Sequence, residues 1–111
     1  MLKPFLRQLR KYDLHYQRFE MIDLKTLGSR KKISLFEGLS VDKKFTALFF
    51  IDQKSRFLQK NVQELDILMQ KLITLQEHNY YQKILFLHAP LCSKAKTLLI
   101  ENHWKIFHDF V

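Results

Sequence analysis

An apolar run that ends on an acid and a lysine stands near the middle of the chain, in Phe45-Thr-Ala-Leu-Phe-Phe-Ile-Asp-Gln-Lys-Ser-Arg56. The run has the length and continuity of a buried strand. Successive side chains of a strand point to opposite faces, so Asp52 and Lys54 are predicted to share one face of the sheet. A carboxylate beside an ammonium group can hold a divalent cation and stabilise developing negative charge. The stretch therefore predicts a central strand with candidate chemistry at its end.

The composition is that of a globular protein and predicts one domain over residues 1–111. Hydrophobic residues make up 47% of the 111 residues and charged residues 27%, with two glycines and two prolines. These values exclude collagen-like, linker-like and disordered classes. The single cysteine, Cys92, cannot form an intramolecular disulfide, and no apolar run follows the first charges. We expect a cytoplasmic protein without a membrane span.

Positive charge is concentrated in the first part of the chain. The formal net charge is +8, and residues 1–44 hold eleven basic and five acidic side chains against eight and six in residues 45–111. Such asymmetry favours a polyanionic partner, most often nucleic acid. The charge distribution therefore predicts a nucleic-acid-binding protein.

The N-terminal segment has the pattern of a basic amphipathic helix. Apolar residues recur at helical spacing through residues 2–19, and Pro4 falls in the first turn, where its missing N–H is not needed. The apolar positions are Leu2, Phe5, Leu6, Leu9, Tyr12, Tyr16 and Phe19. The chain is thus divided into a helix and loop over residues 1–30 and a mixed-sheet core over residues 31–111.

A β-hairpin is predicted after this segment. Residues 20–24 either extend the helix or form a short strand, and Gly28-Ser-Arg-Lys-Lys32 forms a loop. Residues 33–39 alternate as a strand, and residues 40–44 form the turn into the strand at 45–52. Phe57 and Leu58 are either a third strand or the rest of the second.

The remaining sequence alternates helices and strands. Asn61 and Glu64 have capping-box spacing before a helix that runs to about His78. A buried strand over residues 83–88, a helix from Leu91 and a strand over residues 104–108 follow. Cys92 falls near a helix N-terminus, where a thiolate is favoured. The predicted fold is a three-layer α/β domain with a mixed sheet of four or five strands, in the order α-β-β-(β)-α-β-α-β.

This order, with Asp52-Gln53-Lys54 closing the hairpin, resembles the restriction-endonuclease-like families, whose signature is an acid followed by (Asp/Glu)-x-Lys. The finish from Ile84 through Pro90 to Trp104 looks like that of the Mrr-type members. The resemblance implies that Glu37 or Asp42 is the upstream acid and that Asp52 is the second acid. Both acids would bind a divalent metal such as Mg²⁺, and Lys54 would stabilise the transition state. It also implies a metal-dependent nuclease with Glu37, Asp52 and Lys54 as catalytic residues.

Two alternatives stay open at this stage. A ribonuclease-H-like sheet has a similar hairpin-first order, but that family needs a carboxylate where this chain has His88, so such a domain would be catalytically inactive. A non-enzymatic module that binds a protein partner is the second alternative. Whether the chain is an enzyme is therefore open.

Clustered basic residues predict the phosphate contacts. Three of them precede the first hairpin strand, two lie in the hairpin turn, and one follows the second hairpin strand: Arg30, Lys31, Lys32, Lys43, Lys44 and Arg56. If the hairpin forms as predicted, these side chains could contact a nucleic-acid backbone together.

Overall fold

The computed structural model describes residues 3–29 and 32–108. These residues form three α-helices, one 3₁₀ turn and a five-stranded sheet. The elements are α1 (Lys3–Lys11), β1 (Arg18–Ile22), a 3₁₀ turn (Leu24–Leu27), β2 (Ser34–Leu39), β3 (Phe45–Asp52), α2 (Gln59–Gln76), β4 (Gln82–His88), α3 (Ser93–Glu101) and β5 (Trp104–His108).

The strands lie side by side in the order in which they occur along the chain. β1, β2 and β3 form an antiparallel meander, and β4 and β5 continue the sheet parallel to β3. The parallel pairs are possible because α2 and α3 carry the chain back across the sheet. The predicted α/β class, mixed sheet and three-layer arrangement are confirmed.

Apolar side chains are buried on both faces of the sheet. On one face, the alternate residues Ala47, Phe49 and Ile51 of β3 pack with residues of α2 and α3. On the other face, Leu48 of β3 packs with Leu9 of α1 in an aromatic-rich second core. A strand buried on both faces needs continuous apolar character, which explains the pattern of residues 45–51.

The first helix is shorter than the sequence pattern predicts. It ends in a Schellman motif, in which Asp13 has φ 56°, Asp13 N–H donates to Arg10 O at 3.1 Å, and Leu14 N–H donates to Leu9 O at 2.8 Å. The predicted helix over residues 2–19 is therefore wrong beyond Lys11. Residues 1 and 2 lie outside the described residues.

Tyr16 and Phe19 lie at helical spacing in the sequence, but they do not belong to a helix. Phe19 is part of β1, and Tyr16 is in the segment that leads into β1. Phe19 in β1 stacks on Phe36 in β2, with ring centroids 4.4 Å apart and planes 9° apart. Tyr16 covers Gly38, where a Cβ atom would lie 2.8 Å from Tyr16 Cδ1. Since β1 already belongs to the sheet, the division at residue 30 does not separate the sheet from the N-terminal segment.

Two other boundaries differ from the prediction. α2 begins at Gln59, and Asn61 lies in its first turn, where its Oδ1 accepts from Leu58 N–H at 2.8 Å. Phe57 is 1% exposed and makes one isolated bridge to Leu91, so it does not form a further strand of the sheet. The strand in addition to the hairpin is β1, which precedes the hairpin in the sequence.

Candidate functional site: a cleft at one edge of the sheet

Two rows of side chains cross the sheet where β3 and β4 end. In the lower row, the register sets Ser34 beside Phe50, Phe50 beside Phe86, and Phe86 beside Phe107. In the upper row, Asp52 pairs with His88. Lys32 lies two residues before β2 begins and lines the same cleft as Asp52. Because strand side chains alternate, both rows face α1.

The rows and the first helix enclose a cleft of about 510 Å³. Pro4, Phe5 and Gln8 of α1 form its roof, and the two rows form its floor and far wall. Phe50 and Phe86 lie 4.3 Å apart with their planes 3° apart, so the floor is a stack of aromatic rings. A volume of this size is typical of small-ligand sites.

The polar end of the cleft is a hydrogen-bonded pair of side chains from neighbouring strands. His88 Nδ1 lies 3.0 Å from Asp52 Oδ1. The Asp52 side chain is 84% exposed and that of His88 60% exposed. Parallel strands that end together bring these two side chains to the same edge. Asp52 therefore lies in an accessible hollow at this edge of the sheet.

Lys54 does not share the position of Asp52. β3 ends at Asp52, and Gln53 N–H donates to His88 O at 3.1 Å, so the strand alternation does not extend to residue 54. Lys54 is exposed, and the ion pair that Asp52 makes among residues 3–29 and 32–108 is with His88. The structure does not pair the predicted lysine with the predicted acid.

The structure also does not bring Glu37 to Asp52. Glu37 is opposite Ala47, five residues from Asp52 along β3, which is a separation of roughly 16 Å at 3.3 Å per residue. An odd number of residues also places the two carboxylates on opposite faces of the sheet. Asp42, the alternative upstream acid, lies at the same far end, in the turn between β2 and β3.

Both of these acids have partners at the far end. Glu37 Oε1 accepts hydrogen bonds from the Tyr80 hydroxyl and from Gln76 Nε2, the latter at 3.3 Å. The same oxygen lies 3.2 Å from His78 Nε2. Burial, and then the hydrogen bond to Glu37, raise the pKa of Tyr80 well above its usual range. Asp42 accepts from the Ser40 hydroxyl, which lowers its pKa.

The residues around Asp52 do not fit the predicted magnesium site. Mg²⁺ prefers oxygen ligands, whereas His88 is the residue paired with Asp52 and Lys32 is the other charged side chain that lines the cleft. Within the two described ranges, no group of three Asp, Glu, His or Cys side chains could hold a metal ion. Glu37 and Asp52 in particular cannot share one ion.

The predicted phosphate-binding residues fall at two ends of the sheet. Lys32 lines the cleft, and Arg56 lies in the segment that follows β3. Lys43 and Lys44 lie before β3, about 26 Å along the strand from Asp52. Lys44 also faces Asp42 at 3.7 Å and lies over the Tyr81 ring at 4.2 Å. Arg30 and Lys31 lie outside the described residues.

Cys92 is the N-cap of α3 and is partly buried. The backbone N–H groups of Ala95 and Lys94, in the first turn of α3, lower the pKa of its thiol, and Arg56 and Lys94 add positive charge nearby. The direction of this shift is the one expected at a helix N-terminus, but Cys92 does not line the cleft.

Sequence reasoning missed three polar residues of the cleft as site residues, Gln8, Ser34 and His88, and also the phenylalanines of its floor, Phe50, Phe86 and Phe107. A signal for His88 existed, because two predicted strands, 45–52 and 83–88, each end on a polar residue. Parallel strands bring such ends together, so Asp52 and His88 could have been paired in advance. Gln8 gave no signal of its own, since its place depends on how α1 lies across the sheet.

Comparison with known proteins shows a fold likeness. No protein-family model and no curated protein matches the sequence. Among solved structures, EndoMS in its apo form covers the whole chain with a TM-score of 0.59 and 14% identity. A repair endonuclease from Pyrococcus abyssi covers 98% of the chain with a TM-score of 0.58 and 17% identity. The EndoMS-dsDNA2 complex covers 96% with a TM-score of 0.55 and 14% identity.

At these identities the likeness shows the fold alone. It is consistent with the restriction-endonuclease-like fold that the sequence resembles. The chain spans less than half of each of these structures, between 43% and 47% of their length. No helix within the described residues is long and apolar enough to cross a membrane.

Proposed function

We propose that the chain is a nucleic-acid-binding domain of restriction-endonuclease-like fold, which holds the phosphate backbone along α1 and the neighbouring rim of the cleft. The observation that carries the proposal is the place of the basic side chains. Arg7 and Lys11 are exposed and lie on the stripe of α1 that Pro4 and Gln8 share, three or four residues apart. Lys32 stands on the opposite side of the cleft.

The fold likeness supports the same conclusion. One of the similar structures is a repair endonuclease, and another is a complex with double-stranded DNA. All three align over nearly the whole chain. A positive rim around a groove raises the local concentration of a polyanion and steers its approach. Exposed arginine and lysine side chains contact phosphates without reading sequence.

The proposal does not include metal-dependent cleavage by Glu37, Asp52 and Lys54. That reaction needs a second carboxylate near Asp52, and the other charged or titratable side chains that line the cleft are Lys32 and His88. Incubation of nucleic acid with the protein and Mg²⁺ or Mn²⁺ should therefore give no cleavage that depends on Asp52. Cleavage by the parent protein that is lost in Asp52→Ala would contradict this and would restore the nuclease hypothesis.

Binding is tested by fluorescence anisotropy with labelled duplex and single-stranded DNA at increasing salt. Three phosphate contacts from Arg7, Lys11 and Lys32 predict that log K falls with log salt with a slope of roughly −2 to −3. Arg7→Gln should weaken binding to all strands and reduce the slope by about 0.7 to 0.9. Lys71→Gln is the matched control, because Lys71 is exposed on α2, which packs on the other face of the sheet.

The results separate the proposal from its main rival. A slope near zero, or equal effects of Arg7→Gln and Lys71→Gln, would contradict the proposal. Binding of a protein partner through an apolar surface would be nearly indifferent to salt. Such a result would favour the protein-interaction module.

A further inference from the structure

We propose that the cleft takes one unpaired nucleobase of a bound strand, and that Asp52 selects bases that carry an exocyclic amino group. This inference rests on the proposed function, since the strand is held by the basic rim. The ligand class is therefore an unpaired cytosine, adenine or guanine within a nucleic-acid strand.

The charge at the polar end of the cleft excludes a phosphate from that position. The Asp52 carboxylate is exposed, and the two described ranges offer no further carboxylate with which it could recruit a metal ion. A phosphate placed against Asp52 would be repelled, because like charges at contact distance are destabilising. The part of the ligand that reaches Asp52 must carry hydrogen-bond donors and no negative charge.

The floor of the cleft suits a flat aromatic ligand. Phe50 and Phe107 are partly exposed, and they flank Phe86 in the stack of rings. Phe50 and Phe107 cover the two faces of Phe86, and Tyr12 stacks on Phe107 with ring centroids 4.0 Å apart. A nucleobase would therefore meet the floor edge to face, an arrangement that aromatic rings also prefer. The volume of about 510 Å³ admits one such ring system and does not admit a duplex.

The position of Asp52 then supplies selectivity. His88 Nδ1 faces Oδ1, and no described partner faces Oδ2. A carboxylate accepts from the amino groups of cytosine, adenine and guanine, so such a contact favours these bases over thymine. Thymine presents one ring N–H between two carbonyl oxygens, and those oxygens would meet the carboxylate unfavourably.

The experiment compares labelled oligodeoxycytidine and oligothymidine, each of about twelve nucleotides, by fluorescence anisotropy at neutral pH. The parent protein should bind the cytosine strand roughly tenfold more tightly. Asp52→Ala should bring the ratio of the two affinities close to one. The ratio is the readout, because loss of a negative charge strengthens binding to every strand. Asp42→Asn, which removes an exposed charge at the far end of the sheet, should leave the ratio unchanged.

Each outcome separates the two proposals. If neither strand binds, the proposed function is wrong, and the inference that rests on it is wrong as well. If both strands bind equally to the parent protein, the inference is wrong and the proposed function stands. A preference for cytosine that survives in Asp52→Ala would also overturn the inference. Asp52→Asn keeps the size of the side chain and should lower the preference as well, so a folding defect in Asp52→Ala cannot hide the result.

Discussion

Replacing Glu37 by alanine should destabilise the fold, because this carboxylate joins β2 to the segment that follows α2. Its side chain is 12% exposed, and its Oε1 atom receives the Tyr80 hydroxyl and the Gln76 amide and faces the His78 ring. The same residue is an upstream catalytic acid in the sequence-based hypothesis. A catalytic role and a structural role predict different results for one substitution.

The size of the effect follows from the donors left behind. A hydrogen bond to a charged group contributes about 1.5–3 kcal/mol, and a buried donor without a partner costs about 1–3 kcal/mol. The Tyr80 hydroxyl is part-buried, whereas water can reach the 28% exposed His78 ring. We therefore expect Glu37→Ala to lower the free energy of unfolding by about 2–4 kcal/mol. Glu37→Gln keeps one acceptor and should cost less.

Urea unfolding followed by the fluorescence of Trp104 measures this difference. Trp104 is the chain's one tryptophan and is 4% exposed, so its emission reports loss of the core. Glu20→Ala is the matched control, because Glu20 lies directly opposite Glu37 on β1. Its pair with Arg18, at 2.7 Å, is exposed to water and should contribute much less than the part-buried contacts of Glu37. Equal stability losses in the two variants would refute the structural role of Glu37.

Three further predictions follow from the contacts described above. Gly38→Ala should cost about 1–3 kcal/mol in thermal unfolding, because its Cβ would meet Tyr16, and adding Tyr16→Leu should recover part of the loss. Folding raises the pKa of Tyr80. The stability that the neutral Tyr80 hydroxyl contributes is therefore present below about pH 10 and is lost as the pH rises above that value. In a titration of tyrosine absorbance at 295 nm, Tyr80→Phe should remove the ionisation step that occurs at the highest pH. Cys92 should react with iodoacetamide at neutral pH faster in the folded than in the urea-unfolded chain, because hydrogen bonding from Ala95 N–H lowers its thiol pKa; equal rates would contradict this.

The core of the fold could be predicted because its strands are buried on both faces. Residues 47–51 and 84–87 are apolar without interruption, and a run of this length is typical of a sheet strand that is covered on both faces. The first part of the chain was harder to predict. Asp13 adopts a left-handed conformation that glycine usually occupies at the end of a helix. Because the chain has no glycine there, the sequence contains no signal for the end of α1. Aromatic side chains at residues 16 and 19 then continued the helical spacing.

The candidate site could be predicted in part, since Asp52 follows directly from the end of the apolar run. The choice of Glu37 failed because a sequence pattern gives the strands but not their register. The turn formed by residues 40–44 fixes that register, and Lys43 takes a left-handed conformation within it. A shift of one residue moves every side chain to the other face of a strand.

The observed register identifies the positions from which β2 and its approach can serve the same cleft as Asp52. Ser34 is paired with Phe50, and Lys32, two residues before β2 begins, lines the same cleft as Asp52. A carboxylate at residue 34 would share the face and the end of the sheet with Asp52, but the chain has a serine there. The register that separates Glu37 from the cleft thus leaves Asp52 as the one carboxylate among the described residues that line it. This edge of the sheet therefore offers one acidic acceptor together with a histidine and a lysine, on a fold that is similar to that of a repair endonuclease.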